Sequence, residues 1–101
     1  MGLFSKKHKP TQKAYAVVTG AGSGIGRSFA LELAKRGGTV VCADINLNAA
    51  TDTVQLIQSE TAGMAFAVQC DVGVKEQVQQ LAEEAEKLMG HSVTLIINNA
   101  G

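Results

Sequence analysis

Residues 19–26, Thr19-Gly20-Ala21-Gly22-Ser23-Gly24-Ile25-Gly26, put four alternate glycines directly after an apolar run. Glycine at such a junction permits a tight turn, lets backbone approach a pyrophosphate, and lets a following helix pack closely. Free N–H groups at the helix start, together with its dipole, favour a phosphate's negative charge. A plain structural turn is the competing reading. The context favours the phosphate, because a strand-like run precedes the glycines and an amphipathic pattern follows them. Eighteen residues after Gly26, Asp44 closes a second apolar run. A dinucleotide fold needs an acceptor for the adenosine ribose hydroxyls at that place. A turn or helix-capping aspartate is the alternative. With Asp44 on the ribose, its charge repels a 2′-phosphate, so NAD is expected over NADP.

The elements that must hold these residues alternate along the chain. Residues 14–19 read as a buried strand, rich in β-formers and closed by glycine. Ile25, Phe29 and Leu33 begin a helix that stops at Lys35-Arg36 and Gly37-Gly38. Residues 39–43 form a second strand, and Ala50, Val54 and Ile57 mark a second helix ending near Gly63. Residues 65–68 are a third strand. Val74, Val78, Leu81, Ala85 and Leu88 give the third helix one apolar face, and residues 93–97 are a fourth apolar strand. Strands apolar on both faces and joined by helices imply a parallel sheet covered on both sides. Right-handed crossovers put the first two helices on one face. The expected fold is an α/β, Rossmann-type doubly wound parallel sheet, incomplete, with four strands and three helices in the order βαβαβαβ.

The 101 residues are 46% hydrophobic and suffice for one domain with a modest core. Charge is unevenly placed. Residues 1–13 hold Lys6, Lys7, Lys9, Lys13 and His8 and no acid; residues 14–101 hold five basic and nine acidic side chains, a net of −4. The division expected is a basic flexible tail, 1–13, and a dinucleotide-binding domain, 14–101. A nucleic-acid or lipid arm is the sharper reading of the tail and a solvated terminus the plainer one, which is preferred. No secretory leader is expected, because the lysines run into Pro10, Thr11 and Gln12 rather than an apolar stretch. No apolar run reaches membrane-spanning length. Cys42 and Cys70 lie in apolar runs, as buried small hydrophobes do. These features point to the cytoplasm, with no membrane and no nucleic-acid partner. No His, Cys or carboxylate cluster has ligand spacing, so no metal is expected, and His91 reads as a surface residue.

The spacing Gly20-x-x-x-Gly24-x-Gly26 after Thr19 resembles the Thr-Gly-x-x-x-Gly-x-Gly motif of the short-chain dehydrogenases/reductases. Cys70-Asp71-Val72 resembles the family's Asp-Val pair. Asn98-Asn99-Ala100-Gly101 matches its Asn-Asn-Ala-Gly element. The matches fall in order and cover residues 14–101. The resemblance implies cofactor contacts at Gly20, Ser23, Gly24, Ile25, Gly26, Asp44, Asp71, Val72, Asn98, Asn99, Ala100 and Gly101. Asp71 and Val72 are implied against the adenine, with a helix N-cap as the alternative for Asp71. The asparagines are implied to steady the central sheet along the cofactor. NADP-preferring members often carry Arg or Lys just before the second motif glycine or just after the second strand. Here Ser23, Ile45 and Asn46 stand there, and Arg27 is assigned to the first helical turn instead.

In the family a hydride passes between the nicotinamide and an alcohol or carbonyl carbon. A Tyr in Tyr-x-x-x-Lys is the general acid/base, and a Ser and an Asn assist. These four are expected beyond Gly101, since the only tyrosine, Tyr15, is followed four residues later by Thr19. The chain is therefore expected to be the cofactor-binding half of an oxidoreductase, inactive alone. The full protein is expected to be a homo-oligomer acting on a small-molecule alcohol or carbonyl compound. The last strand is expected to present a bare apolar edge. A non-catalytic NAD-binding module is the alternative. A methyltransferase is disfavoured by the glycine spacing and by Asn98-Asn99-Ala100-Gly101.

Overall fold

The computed structural model describes residues 2–5 and 13–99. Its elements are β1 (Gly2–Ser5), β2 (Tyr15–Thr19), α1 (Gly24–Lys35), β3 (Thr39–Asp44), α2 (Leu47–Glu60), β4 (Met64–Gln69), α3 (Lys75–Met89) and β5 (Leu95–Asn98). The sheet order is β1-β5-β2-β3-β4. Strands β4, β3, β2 and β5 run parallel, as the alternating pattern required.

Two strictly alternating sets of side chains make two cores. Ala16, Val18, Val40, Cys42, Leu95 and Ile97 face α1 and α2. Val17, Val41, Ala43 and Val68 face α3, where Leu81 and Ala85 meet them. Period two along each strand thus feeds both helical layers. The second layer has α3 alone, and a groove of about 490 Å³ runs beside it over Val17, Thr19, Ile96 and Asn98.

Three expectations need correction. The buried stripe of α1 is Gly26, Ala30 and Ala34, one residue on from the expected one. Ile25 is 60% exposed, and Phe29 and Leu33 only flank the core. Small residues stand on this stripe where distant backbone comes close to the helix, Gly20 at Gly26 and Gly63 at Ala34. On α3 only Leu81 and Ala85 are buried, while Val78, 41% exposed, lines the groove and Leu88 is exposed. One helix on a broad sheet face leaves part of its own apolar stripe uncovered. Finally, the edge of β5 is not bare. β1 pairs with it antiparallel, Gly2 opposite Asn98 and Ser5 opposite Leu95. A four-residue strand beside a lysine cluster carries too short a period to be read from sequence, and edge pairing needs only its backbone. The tail residues Lys6, Lys7, His8 and Lys9 lie outside the described residues.

Helix ends match their chemistry. At the end of α1 the Gly38 N–H bonds Leu33 O at 3.0 Å and the Gly37 N–H bonds Ala34 O at 2.9 Å. This double closure is the Schellman pattern. Asn46 caps α2, its side chain accepting from the Ala49 N–H at 3.1 Å.

Candidate functional site

The site is built where β2 turns into α1. A Cβ on Gly26 would lie 2.1 Å from Gly20 O and 2.8 Å from Asn99 Nδ2, so the helix rests on the turn's own backbone. Gly24 begins α1 at φ +56 with nothing within 4 Å of a Cβ placed there. It faces open space at the helix N-terminus. Ser23 precedes it in extended conformation, exposed, and its side chain makes no capping bond. The first amides of α1 lie where an anion would find donors.

Asp44 ends β3 and reaches back to this turn. Its Oδ2 accepts from the Gly22 N–H at 2.9 Å and its Oδ1 from the Asn46 N–H at 2.9 Å. Asn46, and not Asp44, is the N-cap of α2. A carboxylate has about four acceptor positions, so two bonds leave room for ribose hydroxyls. Arg27 sits in the first turns of α1, as expected. Its guanidinium donates to Thr53 Oγ1 at 2.9 Å and to Gly22 O.

The strand order reverses between β2 and β5. Ligands of doubly wound sheets settle in the crevice outside the strand ends at such a point. Thr19 Oγ1 donates to Asn98 Oδ1 at 2.9 Å and accepts the Asn99 N–H at 3.0 Å, while Asn99 Nδ2 approaches Gly20 O at 3.4 Å. Both asparagines tie the ends of β2 and β5 together. The expected contacts at Ala100 and Gly101 lie outside the described residues.

Asp71 follows β4 at the same edge. It is not a helix N-cap, because Val74 holds that position on α3. Its Oδ1 accepts the Gly73 N–H at 2.9 Å, and its own N–H donates to Gln77 Oε1 at 2.8 Å. Val72 is half-buried beside it at the mouth of the groove. Gly20, Ser23, Gly24, Ile25, Gly26, Asp44, Asp71, Val72, Asn98 and Asn99 thus all lie at the carboxyl end of the sheet. Thr53 and Gln77 escaped the sequence reading. Thr53, a fully buried polar residue within the apolar stripe of α2, was the available signal.

Two thiols and an imidazole are the other reactive groups of note. Burial pushes the Cys42 thiol up to about 12. Cys70 is also raised, first by burial and then by the charge of Asp71. Both thiols are buried and unpaired. His91 is exposed and stacks on Tyr15 with ring centroids 3.7 Å apart.

The family model described as short chain dehydrogenase matches residues 14–101. Over 99 residues the chain is 42% identical to 7alpha-hydroxysteroid dehydrogenase of Escherichia coli (strain K12), covering 98% of this chain and 38% of the relative. It is 37% identical over 99 residues to Epidermal retinol dehydrogenase 2 of Mus musculus, covering 98% and 32% respectively. A solved short chain dehydrogenase/reductase from Burkholderia phymatum in complex with NAD superposes with a TM-score of 0.71 at 39% identity, over 76% of this chain and 27% of that one. The chain spans about a third of the length of the curated relatives it matches. Glycine turn, reversal of strand order and sequence match coincide over the same residues, and the chain belongs to the short-chain dehydrogenase family.

Proposed function

We propose that residues 14–101 form the nicotinamide dinucleotide-binding part of an oxidoreductase acting on a small-molecule alcohol or carbonyl compound. The observation that carries this reading is the junction of β2 with α1. There Gly26 packs on Gly20, Gly24 opens to solvent, and Asp44 is tied to the same turn. Ser23, Gly24 and Ile25 present the start of α1 to the diphosphate. Asp44 accepts from the ribose hydroxyls, Asp71 and Val72 border the adenine, and Asn98 and Asn99, with Ala100 and Gly101, flank the rest of the cofactor. The bound dinucleotide supplies the carbon that accepts or gives a hydride. The residues of this chain bind and orient it, and none of them is assigned the proton transfer, since Tyr15 is the only tyrosine and lies in β2.

NAD is favoured over NADP. A carboxylate at Asp44 opposes a 2′-phosphate, and Ser23, Ile45 and Asn46 supply no compensating cation. The relatives named for a hydroxysteroid and for retinol support an alcohol as substrate class. The reading includes a homo-oligomeric full protein in the cytoplasm. Unpaired thiols fit a reducing compartment, and among the described residues no helix is long and apolar enough to cross a membrane.

Titration of the chain with NADH, NADPH and S-adenosylmethionine tests the reading. NADH is expected to bind at least about tenfold tighter than NADPH, a 1.4 kcal/mol preference. S-adenosylmethionine binding in place of NADH would overturn it. A second reading, a non-catalytic NAD-binding module, is favoured by β1, which covers β5 without another chain. A monodisperse monomer in sedimentation, binding NAD tightly, supports that module; self-association through the sheet edge counts against it.

A further inference from the structure

Gly22, at the middle of the turn, is held from both sides. The Asp44 carboxylate takes its N–H at 2.9 Å, and the Arg27 guanidinium donates to its carbonyl. The same guanidinium, through Nε, donates to Thr53 Oγ1 at 2.9 Å. The Thr53 hydroxyl in turn donates to Ala21 O at 2.7 Å. Two successive carbonyls of the turn are thus tied to α2, one through a buried hydroxyl and one through a charge that spans both partners. Thr53 is fully buried, so its hydroxyl has no water to fall back on and its bonds are costly to leave unmade. The peptide unit between Ala21 and Gly22 is bonded at both ends, its carbonyl by the Thr53 hydroxyl and its N–H by the Asp44 carboxylate, and each bond polarises it for the other.

We propose that Arg27, seated on Thr53, is a positioning residue that fixes residues 21–22 of the glycine turn for a diphosphate, and that this seat withholds its charge from any 2′-phosphate. The inference rests on the dinucleotide reading above. Lysine cannot replace Arg27, because a single ammonium lacks the fork that reaches Gly22 O and Thr53 Oγ1 together. Serine can replace Thr53, because it keeps the hydroxyl; valine keeps the shape and loses it.

Two measurements on the full chain test this. The first is amide hydrogen exchange without ligand, read at Ala21 and Gly22, whose N–H groups bond Ala43 O and Asp44. In R27M and T53V these two amides are expected to exchange about tenfold faster, the effect of one ordinary hydrogen bond lost. Amides of Val17 and Val41 should stay near their original rates, and T53S should behave like the unaltered chain. Unchanged exchange at Ala21 and Gly22, or a uniform rise across the sheet, would overturn the proposal. The second measurement is titration with NADH and NADPH. R27M is expected to weaken both by about the same factor, on the order of tenfold. Selective weakening of NADPH would place Arg27 on the phosphate and overturn the second half. If the unaltered chain binds neither dinucleotide, the functional reading fails, and the exchange rates alone decide whether the clamp exists.

Discussion

Replacing Gly26 with alanine adds one methyl group at the most crowded point of the turn. That carbon would stand 2.1 Å from Gly20 O, 2.7 Å from Gly20 C and 2.8 Å from Asn99 Nδ2. Two of the three obstacles are backbone, so α1 must move away from β2. Ala30 and Ala34, on the same stripe, would lose part of their contact. Overpacking in a tight core costs about 1–3 kcal/mol and occasionally more, and a clash with backbone belongs at or above the upper end. A domain of this size holds about 5–15 kcal/mol in total, so a large share of its stability is at stake. Gly24→Ala is the matched control. It has the strained φ of +56 and no neighbour within 4 Å, so backbone strain alone, about 1–2 kcal/mol, is expected. With no tryptophan in the chain, urea unfolding followed by far-ultraviolet circular dichroism is the suitable assay. Gly26→Ala losing no more stability than Gly24→Ala would refute the idea that close approach, rather than backbone conformation, dictates Gly26.

Further outcomes are expected at other positions. Thr19→Val removes the hydroxyl shared by Asn98 and the Asn99 N–H, and should lower stability by about 1–3 kcal/mol in the same assay; no change would mean the strand ends hold without it. Cys42, with its thiol raised from 9.0 to about 12, should keep its full contribution below about pH 9 and lose it progressively towards pH 12, because the unfolded chain gives up the proton first. Cys42→Ser, which stays neutral throughout that range, should flatten the decline between those limits, and an equally steep fall in the variant counts against the assignment. Removing residues 1–5 bares the edge of β5 and should raise light scattering with concentration; a variant as monodisperse as the intact chain contradicts a capping role for β1.

Much of this fold is written in local pattern. Val17 and Val41 alternate with Val18 and Cys42, so strand identity and two-sided burial can be read from a few residues. The glycines after Thr19 and the acid at Asp44 announce a turn and an acceptor at a separation typical of one crossover. The legible part stops where the answer depends on neighbours distant in sequence. Ile25, Phe29 and Leu33 carry the helix period as well as Gly26, Ala30 and Ala34 do, and only the approach of distant backbone, Gly20 at Gly26 and Gly63 at Ala34, decides between them. β1 gains its place from hydrogen bonds to β5, which no four-residue pattern encodes. The double duty of Asp44 and the seat of Arg27 on Thr53 required knowing that α2 lies against the turn.

Thr19 and Asn98 meet across 79 intervening steps of chain, and β2 lies between β3 and β5 at the centre of the sheet. The middle of the molecule therefore cannot close until its last described strand is available. During synthesis at about 5–20 residues per second, β2 would wait about 4–16 s with one side open while β3 and β4 assemble on the other. Closing so long a loop costs entropy before any contact rewards it. Folding of this chain should accordingly be gated by the arrival of β5, and the half-built sheet β2-β3-β4, with its open edge, is the species in greatest need of protection by chaperones.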